Sequence, residues 1–142
     1  MTAHKGIVLD ANILLRAAFG QRVRHILRKY EDQVRFYTPD VSYRDAQKYV
    51  VTISEQRQLD SGLALSVLGQ MAALVEQVDQ ALYEQFEHLS RERIDRRDPD
   101  DWPVVAVALL LELPIWTEDQ DFFGTGIATW TTDRVELYLQ KS

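Results

Sequence analysis

Cysteine is absent from the 142-residue chain, which excludes disulfides, thiolate metal sites and a cysteine nucleophile. Long apolar runs are absent as well. The longest, residues 104–111, falls far short of the ~18 residues that a membrane span needs. Near the start, the apolar burst Ile7-Val8-Leu9 is cut off by Asp10 and is too short for a signal-peptide core. A soluble cytoplasmic protein with no membrane contact is therefore expected. Histidine is scarce, and His4, His25 and His88 fall outside every motif described below. Positive charge is in deficit, with 16 Lys and Arg against 22 Asp and Glu, for a net charge of −6. That balance argues against nucleic-acid binding through bulk charge.

What is present is ample apolar material, 46% of the residues against 27% charged, enough to bury a core. One domain spanning 1–142 is expected, because domains commonly run to ~100–200 residues. Ile7-Val8-Leu9 reads as a short buried strand, and Asn12 reads as the cap of a helix beginning near Ile13. Val23, Ile26, Leu27 and Tyr30 recur at helical spacing after Gly20. Residues 34–37 form a second strand. Thr38-Pro39 then opens a helix carrying Val41, Asp45, Lys48 and Tyr49. Residues 59–94 read as helical, broken near Val78-Asp79. Residues 102–112 form an apolar helix, 114–117 a third strand and 127–130 a fourth, and Thr131-Thr132-Asp133 caps a final amphipathic helix. Strands separated by helices, without hairpin signals, imply an α/β class with parallel pairing.

In such sheets, ligands sit beyond the C-terminal ends of the strands, and acids gather there. Asp10 ends the first strand, and Thr117-Glu118-Asp119-Gln120-Asp121 ends the third. Asp101 begins the helix before the third strand, and Asp45 lies on the helix after the second. Each acid alone has a plainer reading. Asp10 suits a helix cap or a turn, and Asp98-Pro99-Asp100 is an ordinary helix start. Asp119 and Asp121 suit a solvated turn, and Asp45 could pair with Arg44 or Lys48. Asp101 stands apart, since it lies in register with the buried Val105 and Ala108. Carboxylates gathered in one cleft repel and partly protonate unless a cation offsets them. Oxygen-only donors suit Mg²⁺ or Mn²⁺ rather than Zn²⁺, and point to metal-assisted phosphodiester hydrolysis with water as nucleophile.

Val8-Leu9-Asp10-Ala11-Asn12, Asp101 ahead of Val105-Ala106-Val107-Ala108-Leu109, and Trp116-Thr117-Glu118-Asp119-Gln120-Asp121-Phe122 together resemble the PIN-domain proteins. These are metal-dependent ribonucleases that include the VapC-type toxins of bacterial toxin–antitoxin pairs. The resemblance covers essentially the whole chain and implies a three-layer α/β/α sandwich around a short central parallel sheet. It makes Asp10, Asp101 and Asp119 metal-binding acids and Asp121 an accessory one, with Asn12 and Thr117 supporting the first acid. Family members usually carry Glu on the helix after the second strand, where this chain has Asp45, one methylene shorter. The implied activity is that of an endoribonuclease: Mg²⁺ or Mn²⁺ polarises the phosphodiester, and an activated water attacks in line to leave a 3′-hydroxyl and a 5′-phosphate. The implied partners are RNA, a cognate antitoxin and a second copy of the chain.

RNA requires local positive charge. Arg91, Arg93, Arg96 and Arg97 lie just before Asp101 and are candidate phosphate contacts, although Glu92 and Asp95 interrupt them. Arg22, Arg24, Arg28 and Lys29 suit an acidic protein partner equally well. Trp102, Phe122 and Phe123 together suggest an apolar rim for dimerisation. Two other readings stay open: a PIN-like binding module with weak or no catalysis, and a metal-dependent phosphatase or DNA nuclease. Asn12 at the second position after Asp10 disfavours the phosphatase, which would carry Asp there.

Overall fold

The computed structural model describes residues 5–94 and 98–140. Among these residues five strands form one sheet in the order β3-β2-β1-β4-β5, and every neighbouring pair is parallel. They are β1 (Lys5–Leu9), β2 (Val34–Pro39), β3 (Val75–Val78), β4 (Ile115–Trp116) and β5 (Thr129–Trp130). The helices are α1 (Ala11–Phe19), α2 (Gln21–Tyr30), α3 (Asp40–Gln56), α4 (Ser61–Ala72), α5 (Gln80–Tyr83), α6 (Glu87–Ile94), α7 (Trp102–Leu111) and α8 (Val135–Leu139). Short 3₁₀ turns cover Glu84–Phe86, Pro99–Asp101 and Gln120–Phe122.

Successive residues of a strand face opposite sides of its sheet, and β1 shows what this does to the core. Ile7 and Leu9 enter one apolar cluster together with residues of α1 to α4 and α8. Val8 enters the other, against α7 and Tyr83 of α5. All three are fully buried, each worth about 1.5–3 kcal/mol of apolar burial. A strand covered on both faces is why the sequence runs apolar without alternation here. Helices on both faces of a parallel sheet are the α/β/α sandwich that the resemblance implies.

Strand order reverses between β1 and β4. The chain adds β2 and then β3 on one side of β1, and places β4 and β5 on the other. In parallel sheets this switch point opens a crevice at the C-terminal strand ends, and it puts Asp10 next to Thr117.

The sequence reading differs from the structure in four places. Residues 59–94 are not one broken helix, because Val75–Val78 forms the edge strand β3, which pairs with β2 from Phe36↔Val75 to Pro39↔Val78. Valines three apart share a helix face but oppose each other across a sheet, and Val75 packs into the α1–α4 cluster while Val78 packs into the α7 cluster. The cap of α1 is Asp10 rather than Asn12: the Ile13 amide donates to Asp10 Oδ1 at 3.0 Å. Among the described residues no side chain caps α8; Thr132 Oγ1 instead accepts from the Trp116 indole at 3.1 Å and Asp133 pairs with Arg22 at 2.7 Å. The apolar rim does not form either. Trp102 and Phe122 are buried, Trp102 edge-on to Tyr83, and only Phe123 of the three is exposed.

The two valines of β3 give a stability test. Val75→Ala and Val78→Ala should each cost ~1–3 kcal/mol in denaturant unfolding. Because they face different cores, the double variant should be additive within about 0.5 kcal/mol. Strong coupling would instead fit neighbours on one helix face.

Candidate metal centre

The site is built from three chain junctions. At the first, the β1–α1 turn, Asp10 is buried and both carboxylate oxygens are engaged: Oδ1 by the Ile13 amide, and Oδ2 by the hydroxyl of Thr117 at the end of β4. The Asp10 amide also donates to the Trp116 carbonyl at 3.4 Å. Thr117 Oγ1 in turn accepts from the Asp119 amide at 2.9 Å, and Asp119 Oδ1 accepts from the Asp121 amide at 2.9 Å. A single polar chain therefore runs from the first strand end through the fourth into the acidic loop. Thr117 thus touches both Asp10 and the Asp119 backbone.

Asp101 comes from the second junction, the turn that opens α7. It occupies the capping position of that helix, yet its side chain caps nothing. Its Oδ2 is buried with no hydrogen-bond partner among the described residues. An unpaired buried carboxylate oxygen is costly, so this atom calls for a ligand. Oxygens of Asp101, Asp119 and Asp121 all lie within 4.8 Å of one another, close enough to share a hydrated cation. Burial, reinforced by Asp98, Asp119, Asp10 and Asp121, pushes the Asp101 carboxyl up to about 7. Burial likewise raises Asp10 to about 6, with Asp119 adding repulsion and the hydrogen bonds from Thr117 and Ile13 opposing it. These are the conditions that an added cation relieves, and the all-oxygen donor set fits Mg²⁺ or Mn²⁺.

At the third junction α3 leaves β2, and the acids open into a cavity of about 680 Å³. Asp10, Asp101, Asp119 and the exposed Asn12 and Asp45 line it. Asp121 belongs to the acidic triad without lining that cavity. Two acids that composition alone would leave as helix-start residues also line the cavity, Asp98 and Asp100. Asp98 does accept from the Asp100 amide at 3.0 Å, so its capping role and its place at the site coexist. Asp40, at the end of β2, is used differently. Its oxygens accept from Tyr83 Oη at 2.8 Å and the Gln80 amide at 3.1 Å, tying β2 to α5.

The candidate phosphate-binding arginines have protein partners. Arg91 pairs with Glu87 at 2.8 Å and lies over the Trp102 ring. Arg93 donates to the Thr125 carbonyl at 2.9 Å. It also crosses Gly126, where φ is +85° and an added Cβ would lie 2.9 Å from its guanidinium. His4, Asp95, Arg96 and Arg97 lie outside the described residues. No helix among the described residues is long and apolar enough to cross a membrane.

A family model described as the PIN domain matches residues 8–140. None of the curated proteins matches the chain in sequence. Among solved structures, PAE2754 from Pyrobaculum aerophilum superposes with a TM-score of 0.72 at 13% identity, covering 96% of this chain and 89% of that one. VapBC2 from Rickettsia felis, solved bound to a DNA fragment from their promoter, gives 0.70 at 13% identity, covering 89% and 98%. FitAcB from Neisseria gonorrhoeae gives 0.54 at 20% identity, covering 89% and 97%. At these identities the likeness is one of fold.

The raised carboxyls predict how the metal-free protein responds to pH. Between about pH 4 and 7 the folded state binds more protons than the unfolded chain, because its Asp10 and Asp101 carboxyls titrate at about 6 and about 7. Stability contributed by these groups is therefore present below the ordinary carboxyl range and lost as pH rises through 7. Melting in EDTA should show that fall. Mg²⁺ or Mn²⁺ should reverse it most strongly near pH 7, and Asp101→Asn should remove most of both effects.

Proposed function

We propose that this chain, which belongs to the PIN-domain family, is a divalent-metal-dependent endoribonuclease. The observation that carries this reading is the meeting of Asp101, Asp119 and Asp121 at the strand ends, with one Asp101 oxygen buried and unpartnered. The chemistry a bound Mg²⁺ or Mn²⁺ supplies is polarisation of the scissile phosphodiester and acidification of a water nucleophile.

Each residue then has a defined task. Asp101 and Asp119, two of the three ligands that the resemblance implies, would hold the cation, and Asp121, expected only as an accessory acid, would join them in place of Asp10 because its oxygen lies within 4.8 Å of theirs. Asp10, locked by the Thr117 hydroxyl and the Ile13 amide, presents a fixed negative wall beside the cation. Asn12 supports the first acid through its backbone hydrogen bond to Asp10, and its exposed side chain lines the cavity. Asp45 closes the cavity from α3 and stands in for the longer Glu usual in the family. The N-termini of α1 and α7 both open at this site, and their dipoles favour the added negative charge of a phosphate.

A toxin role with a cognate antitoxin is the biological setting we favour. It is supported by the fold shared with VapBC2 and FitAcB, proteins named as pairs. A short neighbouring reading frame encoding a DNA-binding protein would agree with it. A homodimer remains part of the proposal on family grounds, without the Trp102–Phe122 rim.

Incubation with single-stranded RNA in Mg²⁺ or Mn²⁺ tests the activity. Cleavage should yield 5′-phosphate products and stop in EDTA. Asp101→Asn and Asp119→Asn should each reduce it by roughly 100-fold or more, and p-nitrophenyl phosphate should not be turned over. Asp45→Glu should hold or raise activity, whereas Asp45→Ala should lower it by about 10-fold. Cleavage that persists in EDTA, or in both Asn variants, would overturn the reading.

A further inference from the structure

Beside the acidic cavity lies a second groove, of about 660 Å³, and the two share Asn12, Leu15 and Ile53 as common walls. Its lining is net positive, Arg16, Arg22 and Arg57 against Glu118 and Asp133. Among its charged lining residues, Arg22 is paired with Asp133 at 2.7 Å, and the Glu118 carboxylate accepts from the Thr132 amide at 2.9 Å. Two arginines remain, Arg16 and Arg57. Both are exposed, and neither has a carboxylate partner among the described residues. Asn12, Arg16 and Phe19 follow helical spacing along one face of α1. At 1.5 Å per residue, that face runs roughly 10 Å away from the acids. At its far end the Arg57 guanidinium lies 5.6 Å from the Phe19 ring centroid.

We infer that this groove is the track of single-stranded RNA leading away from the scissile phosphate, with Arg16 and Arg57 contacting backbone phosphates and the Phe19–Arg57 pair offering a stacking surface to a base. The inference rests on the reading of the acidic cavity as the cleavage site. Its support is continuity and charge. An acidic peptide would satisfy the arginines but has no reason to continue toward a cluster of carboxylates. A polyanion whose next phosphate meets the cation held there fits both compartments. Aromatic and guanidinium surfaces beside a phosphate track are the usual means of holding unpaired strands. The track also differs from the Arg91–Arg97 run, whose described members Arg91 and Arg93 are bound to Glu87 and Thr125.

The test is anisotropy binding of a short fluorescein-labelled single-stranded RNA to the full chain in Ca²⁺, with RNA integrity checked on a gel. The variant Arg16→Gln/Arg57→Gln is compared with Arg28→Gln/Arg35→Gln, which makes the same charge change at exposed positions outside the groove. Melting curves confirm that both fold. The groove variant should lose roughly 10-fold or more in affinity, and the slope of log K against log salt should shrink by about 1.4, that is about 0.7 for each lost phosphate contact. The control should keep the wild-type slope. Equal losses in both variants, a wild-type slope in the groove variant, or no binding by the wild-type chain would overturn the inference. So would intact RNA binding alongside lost binding to a neighbouring antitoxin, which would assign the groove to a protein. RNA binding through the groove without cleavage in Mg²⁺ or Mn²⁺ would sink the nuclease reading and leave the groove standing. Cleavage with an unchanged KM in the groove variant would do the reverse.

Discussion

The hydrogen bond from the Thr117 hydroxyl to the Asp10 carboxylate is the constraint on which the rest of the site depends. It joins the end of β1 to the end of β4 across the point where strand order reverses. Burying a carboxylate at that position is expensive unless its oxygens are satisfied, and here both are. Thr117 uses the same oxygen to fix the Asp119 amide, so one hydroxyl sets the first acid and the start of the acidic loop together. The apolar helix α7 then delivers Asp101 from the other side. With seven consecutive buried residues, that helix has little freedom to turn the acid elsewhere.

The arrangement works against the fold that carries it. A protein selected for stability alone would not place Asp101 half-buried, with one oxygen unpartnered, among Asp10, Asp98, Asp119 and Asp121. Like charges and burial act in the same direction on both Asp10 and Asp101, and the hydrogen bonds to Asp10 offset only part of this. Strain of this kind is concentrated where a ligand relieves it. The large two-sided core, with Ile7, Val8 and Leu9 at its centre, is what lets the metal-free chain tolerate it.

Much of this was legible in the sequence, for identifiable reasons. Continuous apolar strands announce burial on both faces, and acids at their ends announce a site in a parallel sheet. Asp101 was legible because it opens a buried stripe. The features that escaped are those decided by tertiary partners. Val75 and Val78 carry a helical spacing, and only pairing with β2 makes them a strand. Trp102 and Phe122 read as a rim because nothing local reveals that Tyr83 and the α7 cluster cover them. Asp10 and Asn12 both read as caps of α1, and what the sequence does not show is that the Thr117 hydroxyl holds the Asp10 side chain inward, which decides between them. The Arg91–Arg93 run looked available because sequence shows a charge but not its partner.

The same distinction governs how the net charge of −6 bears on a nucleic-acid partner. A formal sum weights every side chain equally, whereas a phosphate backbone responds to charges within about 8–10 Å of its path at physiological salt. Seven of the 22 acids, Asp10, Asp45, Asp98, Asp100, Asp101, Asp119 and Asp121, gather at one corner of the molecule, where a divalent cation would offset part of their field. Asp133 and Glu136 are held by Arg22 and Lys29, and Asp40 by Tyr83 and Gln80. What remains beside the acidic corner is a groove of net positive lining, in which Arg16 and Arg57 have no carboxylate partner among the described residues and Glu118 is held by the Thr132 amide. An acidic protein can thus present a polyanion with a locally attractive route, and the acids that dominate its composition become the means of holding the cation rather than a barrier to binding.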